Sequence, residues 1–224
     1  MRVDALVESA GPVLHRASLP EPLRHTLDSA YEAGRLVRVL PGTYVPRELS
    51  GSFDARVAAV NLWSPHAVIV GAAAARLTFW PSLSVSEIDI ARLGRAPSAP
   101  GYRIQRRHID PRHVMCLRDV RVAVPALAAI DLIASIGGDA IDTCLRSRRA
   151  SLDELWAAFD AHPGRDGNSR RRRLLVESRD EPWSAAERET HTLLRRHRIT
   201  GWKSNVKVRV QGQKYFIDVA FQRI

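Results

Sequence analysis

At 224 residues the chain is long enough for one large domain or two to three small ones, and its 45% apolar and 26% charged content is ordinary for a soluble globular protein. No apolar run approaches the length of a membrane span, the longest being residues 67–75, and the N-terminal MRVDALVESAG carries acids where a signal peptide needs an apolar core, so cytoplasmic residence without a membrane is expected. Cys116 and Cys144 stand far apart, which argues against a disulfide framework or a cysteine-based zinc site.

The formal net charge is +10, which invites a nucleic-acid reading. Its distribution says more. Residues 170–224 hold 14 Lys or Arg against 6 Asp or Glu, whereas residues 1–50 hold six of each sign. Only Lys203, Lys207 and Lys214 are lysines. Arginine suits bidentate phosphate contacts, but an Arg- and Ala-rich chain also arises from a GC-rich genome, so the preference itself carries no weight.

Residues 1–50 predict a small helical unit that ends in a hairpin. A short helix covers 3–9, Ala17-Ser18 caps or precedes a second, and a third runs over 22–33 with Leu23, Leu27, Ala30 and Tyr31 at helical spacing and Gly34 just past its end. Residues 35–40 and 43–46 then form two strands across the turn dipeptide Pro41-Gly42. Helix, helix and hairpin is the order of a winged helix. The phrase A-G-R-L-V-R-V-L-P-G-T-Y-V-P resembles the N-terminal winged-helix domain of AbiEi-type antitoxins. That resemblance implies double-stranded DNA as partner, with the helix 22–33 in the major groove, the hairpin on the backbone, and Arg24, His25, Arg35 and Arg38 as contacts. The alternative is a winged helix used for protein interaction, which the zero net charge and the acids Asp28 and Glu32 on the helix favour.

Residues 51–123 read as mixed α/β. Helices are expected over 53–62 and 71–77, and strands over 67–70, 86–92, 101–107, 114–117 and 120–124. Gly71 followed by alanines lacks the Lys-Ser/Thr of a phosphate loop, and His108 and His113 have no third partner for a metal. Residues 125–160 are expected to be helical, with Pro125 opening the first helix, Gly137-Gly138 ending it and Ser151 capping the last. V-P-A-L-A-A-I-D-L-I-A resembles a T-P-A-R-T-L-x-D-L-A region of actinobacterial AbiEi-like proteins. Leu127 and Ala128 stand where the family has Arg and Thr, and Asp131 matches, as a structural hydrogen-bonding residue.

Residues 162–169 read as a linker, followed by the run Arg170, Arg171, Arg172 and Arg173. Such a run is either a solvated helix face or a set of phosphate contacts. From Ser184 a capping box with Glu187 opens a helix that carries Leu193 and Leu194 and closes at Gly201. Val206, Val208 and Val210 alternate with Lys207 and Arg209 as a strand, Gln211-Gly212-Gln213 turns, and residues 214–221 (KYFIDVAF) are expected as one apolar strand with Asp218 in its middle. A carboxylate inside a buried strand must pair with an arginine or bind a cation.

S-x-x-E-R with the following L-L-R, then I-T-G-W and F-I-D-V-A, resembles the opening of the very-short-patch-repair-like endonuclease domain, a PD-(D/E)xK-type fold. That resemblance implies Glu187 and Asp218 as catalytic residues and magnesium ligands. The family's third element, a strand of the type V-x-V-E-x-D-G, is absent from this sequence, so an incomplete and inactive module is expected, with no resident cofactor. The terminal strand would then be an open sheet edge, either partly disordered, covered by another element, or paired with a second copy as a homodimer.

The expected fold class is α/β in the α+β sense: a winged helix over 1–50, an AbiEi-like α/β and helical domain over 51–165, and an incomplete αββ endonuclease-like module over 170–224. The expected function is a DNA-binding repressor of antitoxin type with a cognate toxin as further partner. A magnesium-dependent endonuclease and a toxin-neutralising scaffold are the alternatives.

Overall fold

The structure, a computed structural model, describes residues 3–94 and 97–221 and forms two compact units, one of residues 3–74 and 84–123 and one of residues 75–83 and 124–221. The class is α+β, as the sequence predicts.

The first unit opens with α1 (Val3–Ala10), β1 (Leu14–His15), α2 (Glu21–Glu32), β2 (Leu36–Leu40) and β3 (Thr43–Pro46). Its three strands form an antiparallel sheet in the order β1-β3-β2. The helix expected to begin near Ala17-Ser18 is only a single 3-10 turn, Arg16–Ser18. Leu19 is already buried and Pro20 lies in an extended conformation ahead of α2, so no room is left for a longer helix. Leu6, Leu14, Leu19, Leu27, Ala30, Leu36 and Tyr44 make the core, with Leu23 against it. The chain leaves α2 through Gly34 (φ +69°), where the amide of Gly34 donates to the Tyr31 carbonyl at 2.9 Å and that of Arg35 to the Ala30 carbonyl at 3.0 Å. This left-handed exit sends the chain directly into β2.

α3 (Phe53–Trp63) follows, capped by Ser52, whose side chain accepts from the Ala55 amide at 3.3 Å. A second sheet is built from β4 (Val68–Val70), β5 (Ile88–Arg92), β6 (Tyr102–Arg106), β7 (Val114–Leu117) and β8 (Val120–Ala123), in the order β6-β5-β4-β8-β7. Between β4 and β5, α4 (Gly71–Thr78) leads the chain out of this unit. β4 is flanked by β5 and β8 and buried throughout, which fits its unbroken apolar sequence Val-Ile-Val. Gly71 sits at φ +57°, and a Cβ there would lie 2.9 Å from a carboxylate oxygen of the buried Asp89. Asp89 in turn pairs with Arg103, its register partner across the parallel β5–β6 ladder.

The second unit holds α5 (Pro125–Leu132), α6 (Asp139–Ser147), α7 (Leu152–Asp160), α8 (Asn168–Glu177) and α9 (Ala185–Arg196). α5 packs on α6 and α7, and α7 packs on α8. α7 starts in a full capping box of Ser151 with Glu154. Asp131 has the structural role expected of it, accepting from Arg165 at 2.6 Å.

The unit continues into an antiparallel hairpin of β9 (Trp202–Lys203), β10 (Val206–Val210), β11 (Gln213–Ile217) and β12 (Ala220–Phe221). Gln211 (φ +50°) and Gly212 (φ +81°) form its two-residue turn, the doubly left-handed pair that matches strand twist. The expected single strand 214–221 is broken. β11 pairs with β10, and β12 pairs with β9, but the register is continuous: Val206 opposes Ile217 and Lys203 opposes Ala220. Between them lies a two-residue gap on each strand, Ser204-Asn205 opposite Asp218-Val219. Its cause is on the Ser204 side. Asn205 sits at φ +50°, which interrupts the extended backbone, and the side chains of Ser204 and Asn205 donate to the carbonyls of Asp180 and Glu181.

Candidate nucleic-acid interface

In the first unit α2 buries Leu27 and Ala30 and leaves His25 exposed. Arg35, just past the helix, and Arg38, on β2, are also exposed. Arg24 does not join them. Its guanidinium donates to the Leu19 carbonyl at 2.9 Å, the Ala17 carbonyl at 3.4 Å and Glu21 at 2.8 Å, so it ties down the entry to α2. The acid on the helix is also engaged. Arg16 bonds Asp28 through two nitrogens, at 3.0 and 2.8 Å, and holds its carboxyl below the usual carboxylate range.

The four arginines of α8 have four different environments. Arg171 is buried and donates to the Ile130 carbonyl at 3.1 Å, the Asp166 carbonyl at 2.5 Å and Asn168 at 3.2 Å. Its expected role as a phosphate contact is therefore corrected: a guanidinium committed to buried acceptors does not reach a ligand. Arg170 is exposed and donates weakly to the Ala134 carbonyl at 3.4 Å. Arg172 lies over Trp156 and Phe159, 5.9 and 5.6 Å from the ring centres. Arg173 is exposed and lies 3.8 Å from Glu177.

Glu187 and Asp218, the expected catalytic and metal residues, have different surroundings. Both carboxylate oxygens of Glu187 serve the cap of α9: one accepts from the Trp183 amide at 2.9 Å, the other from the Ser184 hydroxyl at 2.9 Å, and the Glu187 amide donates back to Ser184 at 3.2 Å. Asp218 lies in the hairpin gap rather than inside a strand, and its side chain is exposed, so it needs no buried counter-charge. Its backbone carbonyl lies 3.3 Å from Nε2 of the buried His191. Among the described residues no three His, Cys, Asp or Glu side chains converge as a metal-binding group. Glu187→Ala is expected to lower stability by about 1 kcal/mol and to fray the first turn of α9, measured by urea titration followed by helical circular dichroism, while Glu187→Gln keeps most of the cap.

The buried ion pair beneath this helix gave no sequence signal. Arg188 donates to Asp142, to the Leu174 carbonyl at 3.0 Å, to Ser178 at 2.5 Å and to the Gly138 carbonyl at 3.3 Å. Burial pushes the Asp142 carboxyl up to about 6, and Arg188 pulls it back only in part.

Among the described residues no helix is long and apolar enough to cross a membrane. No family model and no curated protein matches the chain.

Proposed function

We propose that the chain is a double-stranded DNA-binding protein of repressor type, with the α2–β2–β3 segment as its reading head. One observation carries this. A helix of twelve residues is followed through a left-handed glycine by a hairpin, in a three-stranded sheet ordered β1-β3-β2, and His25, Arg35 and Arg38 are each exposed on that segment. This is the element order of a winged helix, in which the helix enters the major groove and the hairpin meets the phosphates. Asp28 pairs with Arg16 and Glu21 with Arg24, so of the three acids of α2 only the exposed Glu32, at its last position, has no ion pair among the described residues, and Arg35 and Arg38 are left for phosphate. Repression of its own promoter, and of a linked toxin, would follow from occupancy of the upstream DNA.

The test is retention of a labelled duplex carrying the chain's own upstream region against an unrelated duplex, with magnesium and without. Specific retention is expected. The double variant Arg35→Ala/Arg38→Ala should weaken it at least tenfold and reduce the slope of log K against log salt by about 2, since each phosphate contact contributes about 0.9. Equal retention of both duplexes, untouched by the double variant, would sink the proposal. Magnesium-dependent cutting lost in Asp218→Ala would favour the endonuclease reading instead.

A further inference from the structure

The second unit contains a cleft of about 520 Å³ that the reading head does not use. Three separated segments line it: the end of α6 with Arg148, the α8–α9 connection with Arg179 and Trp183, and the hairpin with Trp202, Lys203, Asn205 and Phe216. Its aromatic floor is organised. Trp183 meets Phe216 edge to face with ring centres 4.8 Å apart, Arg148 lies 5.4 Å over the Phe216 ring, and Trp202 stacks at 4.8 Å on the buried His191. These contacts fix the rings in place before any ligand arrives.

The charge balance favours an anion. Two carboxylates line the cleft, Asp180, which is paired with Arg195 and lies 3.9 Å from Arg179, and the exposed Glu181; against them stand Arg148, Arg179 and Lys203, of which Arg148 and Lys203 make no ion pair among the described residues, so positive charge is in excess. Asn205 donates its amide nitrogen to the Glu181 carbonyl at 2.7 Å, but its buried Oδ1 has no partner among the described residues. Beyond the cleft the cationic line continues along the hairpin. Lys207 opposes Phe216 and Arg209 opposes Lys214, and residues paired across a ladder share one face. All three lysines of the chain are therefore in the cleft or on the face that extends it.

Ordered aromatic rings beside a line of cations are what a single strand requires: bases stack on the rings and the backbone follows the charge. We propose that this cleft binds single-stranded nucleic acid, placing a base against Trp183, Trp202 and Phe216 and its phosphates at Arg148, Lys203 and the Lys207–Lys214 face. The volume is that of a small-ligand site, suited to a nucleotide rather than to a duplex groove. The site is independent of the α2–β2–β3 reading head.

The test uses the full chain and a fluorescein-labelled oligo-dT 12-mer, read by anisotropy, with tryptophan emission recorded on the unlabelled oligomer. Saturable quenching is expected. Arg148→Asn/Lys203→Gln should weaken binding at least tenfold and lower the salt slope by about 1.4, since each single-strand phosphate contact contributes about 0.7. Asn is chosen because residue 148 sits at φ +56°. If that variant melts early, the exposed pair Lys207→Gln/Lys214→Gln should still weaken binding about threefold. Absence of quenching, unchanged affinity in folded variants, or equal displacement by poly-glutamate would overturn the proposal, the last by reducing the site to a polyanion surface. Loss of duplex retention with oligo-dT binding intact would count against the reading head alone; the reverse would count against this cleft alone.

Discussion

Arg188→Ala is expected to be among the most damaging single substitutions in the second unit, lowering its stability by about 3–5 kcal/mol. The side chain is 9% exposed and its partner Asp142 is 2% exposed. Truncation leaves a buried carboxylate with no counter-charge and strips donors from Ser178 and from the carbonyls of Leu174 and Gly138. Replacing both partners, as Arg188→Met/Asp142→Leu, should recover much of the loss, because two buried charges are then removed together. Urea titration followed by helical circular dichroism reads both. A double variant as unstable as Arg188→Ala would show that the loss lies in packing rather than in the uncompensated charge.

The pH dependence gives the same pair a second readout. The folded Asp142 carboxyl titrates near 6, above its ordinary 3.8, so the native state binds its proton more readily than the unfolded chain does. The contribution of this group is therefore fully present below about pH 4 and is lost as pH rises through about 6. Asp142→Asn should flatten that part of the stability–pH curve. In Arg188→Ala the depressing influence of the guanidinium is gone, so the downward slope should extend above pH 6. The same titration run from pH 4 to 8 checks both, and an upward slope in the wild type after correction with Asp142→Asn would contradict the assignment.

Arg171→Ala is the second large effect expected, a loss of about 2–4 kcal/mol, because three acceptors tied to one buried guanidinium lose it together. Its neighbours should behave otherwise. Arg170→Ala and Arg173→Ala are expected within about 0.5 kcal/mol of wild type, and Arg172→Ala at about 0.5–1 kcal/mol through loss of its position over Trp156 and Phe159. A thermal melt of the four single variants separates them. Four equal effects would mean that α8 does not present its faces as described.

The contrast among these arginines marks where sequence reasoning stops. Four identical letters carry no sign of which one turns inward. Leu174 and Leu175 fix the buried side of α8, and only the acceptors supplied by the α5 end at Ile130 and by the linker at Asp166 reveal that Arg171 shares it. The elements themselves were far more legible. Pro125, Ser151 and Ser184 start helices where capping chemistry says they should, and Pro41-Gly42 and Gln211-Gly212 turn the chain. What failed was reading 214–221 by apolar content alone. Apolar content does not register the left-handed backbone at Asn205, whose side chain, with that of Ser204, is held by the carbonyls of Glu181 and Asp180, and which leaves Asp218 in the facing gap. Arg188 was passed over because a charged residue beside a capping Glu reads as surface. The cleft was invisible for a simpler reason: its lining comes from three stretches that no local pattern connects.

One consequence of the β4–α4 junction concerns heredity rather than stability. Residue 71 needs a left-handed backbone, and the space where its Cβ would go is filled by Asp89, whose carboxylate is engaged by Arg103. A side chain at 71 must displace the Asp89 carboxylate from its place beside Arg103, whereas a shortened 89 makes room and leaves the largely exposed Arg103 to solvent. Substitutions at 71 and 89 are therefore coupled through one shared space: a side chain at 71 able to adopt the left-handed backbone is accommodated more readily in a descendant whose residue 89 is already shorter.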